Sequence, residues 1–248
     1  MKRVVRMTAF AAALSSATVG ACVLTVVACG GSDGSGSIDD SEGGTGNSEG
    51  GSGTDSGCGD PNAPEEVFTT HPDAGCDLKS AGPRSGNVAT SVARSGGEGV
   101  AWSTPGNARN VDCEFAKATV GDDQSTELLR VTDFGFSLPP AAKIMGVVVQ
   151  VKRQAPEVGI ADGNIELWLD GVPSDRPKFL ASGWPRVIVG THHYGQEIDT
   201  WGNDLTPELV SKPGFGVEIF AKRRQDDAGT GPKPANVDSM RITIWYCE

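Results

Sequence analysis

One alternating run most constrains what this chain can fold into. In residues 142–155, successive side chains are expected to point to opposite sides of the chain. Val147, Val149 and Val151 then occupy every second position and share one side. The side predicted to face a core holds Val147, Val149 and Val151, and the opposite side holds Val148, Gln150 and Lys152. A period of two is the pattern of a half-buried β-strand. The run therefore predicts a sheet protein organised around one long strand, which residues 134–140 introduce with a Phe-Gly-Phe and Leu-Pro-Pro sequence.

Shorter runs with the same period occur along residues 98–248. The clearest covers residues 164–170, where three aliphatic residues alternate with Glu166, Trp168 and Asp170. Further strands are predicted at residues 113–120, 126–131, 178–181, 186–189, 215–221 and 240–246. About eight short strands joined by Gly/Pro-rich turns are typical of a sandwich or barrel. The predicted fold class is all-β, a jelly-roll-like antiparallel β-sandwich.

One short helix is predicted at residues 206–210. Thr206 suits the N-cap position, and Pro207 suits the first helical position because its fixed φ is already helical. Pro213 and Gly214 follow at once, so the helix has room for one or two turns only. The sandwich is thus expected to carry a single short helix in a connection between strands.

Residues 1–28 predict a signal peptide. Lys2, Arg3 and Arg6 form a positively charged start, and residues 7–27 are apolar and rich in Ala and Val. Thr, Ser and Gly interrupt the apolar stretch and a cleavage-like site follows it. These features are typical of a cleaved secretory signal rather than of a transmembrane helix.

The end of that signal, Val26-Val27-Ala28-Cys29, resembles the lipobox of bacterial lipoproteins. The resemblance implies cleavage before Cys29, acylation of that cysteine and a protein anchored to a membrane by lipid. Gly30 follows rather than Asp, which implies the outer membrane of a Gram-negative cell. The alternative site, Cys22, would leave the apolar residues 23–27 on the mature protein.

Residues 29–57 predict a disordered tether. Gly, Ser, Thr and acidic residues dominate this segment, and Ile38 is the only aliphatic residue within residues 30–57. Such a segment cannot bury enough apolar surface to offset the entropy lost on ordering. A Gly/Ser coil of this length has a mean reach of about 30 Å. The tether is expected to hold a folded domain away from the membrane.

The charge of the chain limits its partners. The 248 residues carry a formal net charge of −11, and removal of Lys2, Arg3 and Arg6 with the signal changes this to −14. An acidic surface repels phosphate backbones, so we expect no nucleic-acid partner. It also repels anionic lipid, so membrane contact is expected through the lipid anchor.

Four cysteines follow the signal and its lipobox, at positions 58, 76, 113 and 247. An even number in an exported protein predicts two disulfides, for which three connectivities are possible. Cys58–Cys76 would close a local loop in residues 58–97, which are otherwise poorly patterned and predicted to be an irregular, disulfide-pinned lead-in. Cys113–Cys247 would join the first clear strand to the last, and it is the bond we predict. Because the spacings are wide, a metal site is the minor interpretation.

Several motifs resemble an uncharacterised β-sandwich module of bacterial surface proteins and phage structural proteins. They are Trp102-Ser103-Thr104-Pro105-Gly106-Asn107-Ala108, Phe134-Gly135-Phe136-Ser137-Leu138-Pro139, Ile144-Met145-Gly146-Val147, Lys152-Arg153, Tyr194-Gly195, Trp201-Gly202, Thr206-Pro207, Phe215-Gly216-Val217 and Val237-Asp238. The match covers residues 98–247 and is specific in order and spacing, although Leu205 stands where the family more often has an aromatic residue. The resemblance implies the sandwich fold and no particular activity.

The candidate site residues lie on the polar side of residues 164–170. Trp168 stands there between the carboxylates of Glu166 and Asp170, while the aliphatic residues fill the core side. A flat exposed indole beside hydrogen-bonding carboxylates can stack on a sugar ring. The alternative is that a loop or the helix at 206–210 covers the indole, since tryptophan is usually well buried. The two carboxylates are also explained by a solvated strand face.

Other polar groups give weaker signals. Adjacent residues in a strand face opposite ways, so His192 and His193 are not expected to bind one metal ion. Asp162 and Asn164 offer oxygen ligands of the kind calcium prefers, but Asp-Gly is also ordinary turn chemistry. We therefore expect no metal and no cofactor.

Two functions of different classes remain after this survey. The first is a noncatalytic, envelope-anchored binding module whose ligand is a glycan or a surface protein, with Trp168, Glu166 and Asp170 in contact with it. The second is an envelope glycan hydrolase that uses carboxylates on the sandwich face. No nucleophile–base pair and no phosphate-binding loop is evident in the sequence, so we predict a protein that is not an enzyme. Convergence of the carboxylates in one cleft would favour the hydrolase.

Overall fold

The computed structural model describes residues 75–97, 99–186, 190–224 and 229–248. The strands in these ranges are β1 Leu78–Ser85, β2 Val88–Val92, β3 Ala116–Val120, β4 Leu128–Thr132, β5 Lys143–Gln154, β6 Ile160–Leu169, β7 Gly190–Tyr194, β8 Phe215–Arg223 and β9 Lys233–Cys247. Helix α1 spans Pro207–Val210, and a 3-10 helix spans Pro105–Arg109. The predicted signal, Cys29, the tether and Cys58 lie outside the described residues.

The strands form two antiparallel sheets that pack face to face. Sheet A has the order β1-β9-β5-β7, and β3 also pairs with β9. Sheet B has the order β2-β4-β8-β6. Strand β9 can serve two neighbours on one side because it is 15 residues long: its first part pairs with β3 and its last part with β1. The predicted all-β sandwich is confirmed.

The core lies between the two sheets and is built from alternate residues of each strand. Val147, Val149 and Val151 of β5 are fully buried, as their period predicts, and they belong to one cluster with Ile165 and Leu167 of β6. Burying one such aliphatic side chain contributes roughly 1.5–3 kcal/mol. The alternation therefore identifies the side of β5 that faces sheet B.

The opposite side of β5 is buried as well, and here the half-buried prediction is wrong. Val148 has no exposed surface, and Gln150 and Lys152 are almost as inaccessible. Their polar groups have partners on neighbouring strands: the Gln150 amide lies 3.3 Å from His193, and the Lys152 ammonium 3.9 Å from Asp238. Long polar side chains can be buried on this face because side chains of neighbouring strands lie close enough to pair with their polar groups.

Residues 78–92 form β1 and β2, so the prediction of an irregular lead-in fails for this part. Strand β1 is poorly patterned because it lies at a sheet edge and most of its side chains are exposed. Its pairing with β9 shifts register between Ala81 and Arg84, where Gly82 and Pro83 interrupt the ladder. Proline is tolerated at such edge positions. An exposed edge strand carries little alternation for a sequence pattern to detect.

Some predicted strands are shorter or absent. The strand predicted from residue 113 begins only at Ala116, because Cys113 has a φ of 68° and lies in a turn. Lys178 makes an isolated bridge to Ile165, and residues 178–181 form no strand of their own. Residues 187–189 of another predicted strand lie outside the described ranges.

The disulfide observed joins Cys76 to Cys247, with the Cα atoms 6.0 Å apart. The predicted Cys113–Cys247 bond is therefore wrong, and so is Cys58–Cys76. The cause is strand register: Leu78 is the cross-strand partner of Cys247, which brings Cys76 beside it. The backbone N–H of Cys113 instead donates to Asp238, nine residues and about 30 Å along β9 from Cys247.

Helix α1 confirms the predicted cap. The Thr206 side chain accepts a hydrogen bond from the Leu209 backbone N–H at 3.2 Å, and Pro207 is the first helical residue. The helix ends after one turn, at Val210. In the part of the chain that the structure describes, no helix combines the length and the apolar character needed to span a bilayer.

Candidate functional site

The side of sheet B that faces away from the core carries most of the candidate residues, and we call it the outer face of sheet B. It exists because Leu129 of β4, Val217 of β8 and Leu167 of β6 point into the core, so that their neighbours point outward. The outer face of sheet B is defined by Thr90, Arg130, Thr132, Glu166, Trp168, Gly216, Glu218 and Phe220.

Three charged side chains lie side by side across this face. Arg130 of β4 is the cross-strand partner of Glu218, and Glu218 is in turn the partner of Glu166 on β6. Side chains at directly opposed positions of an antiparallel sheet are close enough to interact. The strand order β4-β8-β6 therefore assembles a row of one guanidinium and two carboxyl groups.

Arg130 connects this row to Trp168. Its Nε lies 2.8 Å from Oε2 of Glu218, and its guanidinium carbon lies 3.5 Å from the centroid of the Trp168 ring. The cross-strand partner of Trp168 is Gly216, which has no side chain to obstruct the guanidinium. A cation stacked on an indole contributes about 0.5–2 kcal/mol, depending on how far both groups are desolvated.

Burial gives Glu218 unusual electrostatics for an outward-facing residue. Its side chain is only 4% exposed, and this desolvation raises the pKa of its carboxyl group. The hydrogen bond and charge of Arg130 act in the opposite direction, while the nearby Glu166 adds a further upward contribution. Glu218 is thus held by Arg130 at the centre of the face, and Glu166 lies toward its edge strand.

The structure brings together two of the three predicted ligand-binding residues. Trp168 and Glu166 share the outer face of sheet B, and Glu166 accepts a hydrogen bond of 2.8 Å from Asn164. Asp170 does not join them: strand β6 ends at Leu169, Asp170 takes a φ of 52°, and its carboxylate pairs with Lys212 at 3.1 Å. The turn that begins at Asp170 removes it from the row.

The indole of Trp168 is half-buried, which lies between the two interpretations of its sequence position, an exposed platform and a ring covered by a loop or by the helix at 206–210. The group stacked on its ring is Arg130 from the same sheet. Sequence reasoning missed Arg130 and Glu218 as site residues. Alternation marks both as outward-facing, but only the strand order of sheet B places them beside Trp168.

Four clefts in the described part of the chain were compared with the positions of these carboxylates, and none of the four is lined by Glu166, Glu218 or Asp170. Glu166, Glu218 and Asp170 instead each have a protein partner: Asn164, Arg130 and Lys212. A glycosidase needs two carboxyl groups flanking one bond in its substrate.

A second polar cluster is enclosed inside the sandwich, between β5, β6 and β7. Asp162 accepts hydrogen bonds from Tyr194 Oη at 2.6 Å, Trp184 Nε1 at 2.8 Å and Arg153 Nη2 at 3.2 Å. All four side chains are buried, and burial raises the pKa of Tyr194. The cluster holds the segment containing Trp184 against β6. The Asp162 carboxylate thus stabilises the fold, and Asp162 lies in strand β6 rather than in the turn that the Asp-Gly sequence suggests.

The two adjacent histidines face opposite sides of the edge strand β7, as strand alternation predicts. His192 is opposite Val151 on the core side, whereas His193 lies beside Gln150. Within the described ranges, no group of three or more His, Cys, Asp or Glu side chains is arranged to hold a metal ion.

Comparison with models of protein families found none that matches this chain, and comparison with curated proteins found no matching relative. The outer face of sheet B is therefore interpreted from its own geometry and chemistry.

Proposed function

We propose that this chain is a noncatalytic binding module, anchored to the outer membrane through Cys29, that holds a glycan on the outer face of sheet B. The observation that carries the proposal is the row of Arg130, Glu218 and Glu166 beside the half-buried indole of Trp168. Aromatic, guanidinium and carboxylate groups on one flat sheet face can serve both the hydroxyls and the apolar surface of a sugar.

Each group of this row has a defined role toward a sugar. The Glu166 carboxylate accepts hydrogen bonds from hydroxyl groups, and the free N–H groups of a guanidinium such as that of Arg130 donate to ring or hydroxyl oxygens. The uncovered part of the Trp168 ring provides apolar contact for C–H groups. Arg130 is already held by Glu218 and Trp168, so little conformational entropy is lost when a ligand binds.

The expected affinity is low because the row lies on a sheet face and its residues Arg130, Glu218 and Glu166 line none of the four clefts described above. A ligand on an open sheet face buries limited surface, and we expect a Kd on the order of 0.1–1 mM per site. Many anchored copies on one membrane would raise the apparent affinity through avidity. A long acidic tether, as predicted for residues 29–57, allows neighbouring copies to reach the same polysaccharide.

A glycan array probed with the full-length chain identifies the ligand, and the Trp168→Ala variant then tests the site. We expect this change to weaken binding at least tenfold while the melting temperature changes little, because the indole packs on an outward-facing side of the sheet. The matched control is Phe115→Ala, since Phe115 is also a half-buried aromatic side chain but lies next to Lys117 at the start of β3, in sheet A.

Two results would overturn the site. If Trp168→Ala unfolds the domain, the indole is a core residue and not a contact residue. If the variant folds and binds as tightly as the original chain, the ligand lies elsewhere. The Arg130→Lys variant separates the contribution of the Arg130 charge from that of its stacking on Trp168, because lysine keeps the charge but lacks the planar guanidinium group.

The proposed anchor is tested independently of the ligand. Cys29 lies outside the described residues, and its lipidation is inferred from the lipobox-like Val26-Val27-Ala28-Cys29 alone. Replacing Cys29 with Ser should move the protein from the membrane fraction to the soluble fraction after cell lysis. Unchanged partitioning, or a shift produced by Cys22→Ser in its place, would contradict lipidation at Cys29.

The alternative is an envelope glycan hydrolase, and one observation favours it. Glu166 and Glu218 are cross-strand partners, and burial raises the pKa of Glu218, which is a pattern that an acid and a nucleophile share. Incubation with the array-selected glycan, followed by chromatography of the products, tests this function. Cleavage that disappears in Glu218→Gln would establish the hydrolase and replace the binding proposal.

A further inference from the structure

We infer that the outer face of sheet B continues into a cationic cleft at one end, and that the glycan it holds carries an anionic substituent there. This inference rests on the proposed function and names the class of glycan. The cleft has a volume of about 600 Å³. We call it the basic cleft and define it by Arg94, Ser125, Phe220, Lys222 and Arg224, which are among its lining residues.

Strand β8 makes the face and the cleft one continuous surface. Its core-facing residues are Phe215, Val217, Ile219 and Ala221, so Gly216, Glu218, Phe220 and Lys222 point outward in sequence. Gly216 lies beside Trp168, and Lys222 lies in the basic cleft. The six residue steps from Gly216 to Lys222 span about 20 Å, which suits an oligosaccharide of several units rather than a single sugar.

The cationic groups of the cleft are positioned by contacts within the protein. The Arg94 guanidinium lies 3.9 Å from the centroid of the Phe220 ring, and it also donates a hydrogen bond to the Ser125 hydroxyl. This repeats the Arg130–Trp168 stack further along the same face. Lys222 is exposed beside them. Arginine side chains held in this way are pre-organised to bind an oxyanion.

The charge of the cleft differs from that of the whole chain. Four basic side chains line it against two acidic ones, and Asp122 is paired with Arg223 at 3.1 Å. The chain as a whole has a net charge of −11, which repels dense polyanions. Surface charges act over about 8 Å at physiological salt, so a single anionic group in the cleft interacts mainly with the local cations. A sparsely charged glycan fits this balance.

The chemistry required of the ligand is one oxyanion on an otherwise neutral oligosaccharide. A uronate carboxylate and a phosphate ester both meet this requirement, because a guanidinium can bind either through two parallel hydrogen bonds. The remaining sugar units would lie over Phe220 and the row of Glu218, Glu166 and Arg130. The glycan is then oriented, with its anionic unit at Lys222 and a neutral unit at Trp168.

The test compares matched oligosaccharides on the full-length chain and its Lys222→Glu variant. The probes are a tetrasaccharide with one terminal glucuronate, the same sugar with a phosphate ester in its place, and the neutral glucose-terminated form. We expect Lys222→Glu to weaken binding of an anionic form at least tenfold and to leave the neutral form unchanged. Lys143→Glu is the control, since Lys143 is an exposed lysine on sheet A. The glucuronate and phosphate probes decide which oxyanion is preferred.

The outcomes separate this inference from the proposed function. Trp168→Ala could weaken binding of all probes while Lys222→Glu does not weaken the anionic probes more than the neutral one. That result would support the outer face of sheet B as the binding surface and would overturn the inference that the glycan is anionic. If neither variant changes binding, both are wrong.

Discussion

Arg153 shows how a charged residue can be part of the interior of this sandwich. Its position continues the alternation of Val147, Val149 and Val151, so it points into the core, where it is fully buried. The guanidinium donates to Tyr194 Oη at 2.7 Å and to Asp162 at 3.2 Å. Removing one partner of such a pair leaves the other charge buried without compensation, which typically costs about 3–5 kcal/mol.

Burial, together with the charge of the neighbouring Arg153, makes the protonation of His192 relevant to stability. Burial and the Arg153 charge lower the pKa of His192 from 6.5 to about 4, while Asp162 raises it and His193 lowers it to smaller extents. The folded state therefore keeps His192 neutral in a pH range where the unfolded chain takes up a proton. We predict that the free energy of unfolding falls as pH decreases from 6.5 to about 4, because protonation favours the unfolded chain.

Replacing His192 with Phe should flatten this part of the stability profile, measured by urea denaturation at intervals between pH 4 and 7. His193→Phe is the matched control, since His193 lies on the opposite side of the same strand. An equally steep profile in His192→Phe, or the same flattening in His193→Phe, would show that another group is responsible.

Strand β6 illustrates how one irregular position changes the role of an element. The register between β6 and β8 shifts between Asp162 and Asn164, so Gly163 is an extra residue in β6. This bulge turns Asp162 toward the core, where it binds Arg153, and leaves Glu166 and Trp168 on the outer face. The two polar clusters described above, around Asp162 and around Glu166, thus depend on one β-bulge.

The bulge requires glycine for a steric reason, which gives a second prediction. A Cβ atom at Gly163 would lie 1.9 Å from the Phe220 ring. We expect Gly163→Ala to lower the free energy of unfolding by about 1–3 kcal/mol through overpacking, as measured by chemical denaturation. The double variant Gly163→Ala, Phe220→Ala removes the ring and should be destabilised by less than the sum of its two single changes. Additive losses would indicate that the contact with Phe220 is not the cause.

At the scale of the whole molecule, strand β9 connects the parts of sheet A. It pairs with β5 along its length and with β3 and β1 on its other side. The Cys76–Cys247 disulfide then fastens the start of β1 to the last residue of β9. Cys113 is disulfide-bonded as well, and Cys58 is the remaining cysteine of the four.

The third prediction concerns these cross-links. Non-reducing peptide mapping should yield Cys76 linked to Cys247, and Cys58 linked to Cys113. Replacing both Cys76 and Cys247 with Ser should lower the free energy of unfolding by about 4–5 kcal/mol, because the bond closes a loop of more than one hundred residues in the unfolded chain. A peptide that contains Cys113 and Cys247 would contradict this connectivity.

The sequence by itself determined the fold class, the core side of the long strand and the cap of α1. Each depends on residues close together in the chain: the alternation of Val147, Val149 and Val151 and the Thr206–Pro207 pair are local patterns with direct physical causes. Alternation also predicted the outward position of Trp168 and Glu166, because it requires only the periodicity of one strand.

Only the tertiary structure decided which residues meet across strands. The choice of Cys76 over Cys113 depends on the register of β1 on β9, and the stacking of Arg130 on Trp168 depends on the strand order of sheet B. The inward turn of Asp162 depends on a one-residue bulge that local alternation does not signal. Strand order and register are set by the packing of the whole core, and for this reason the pattern of any single strand does not contain them.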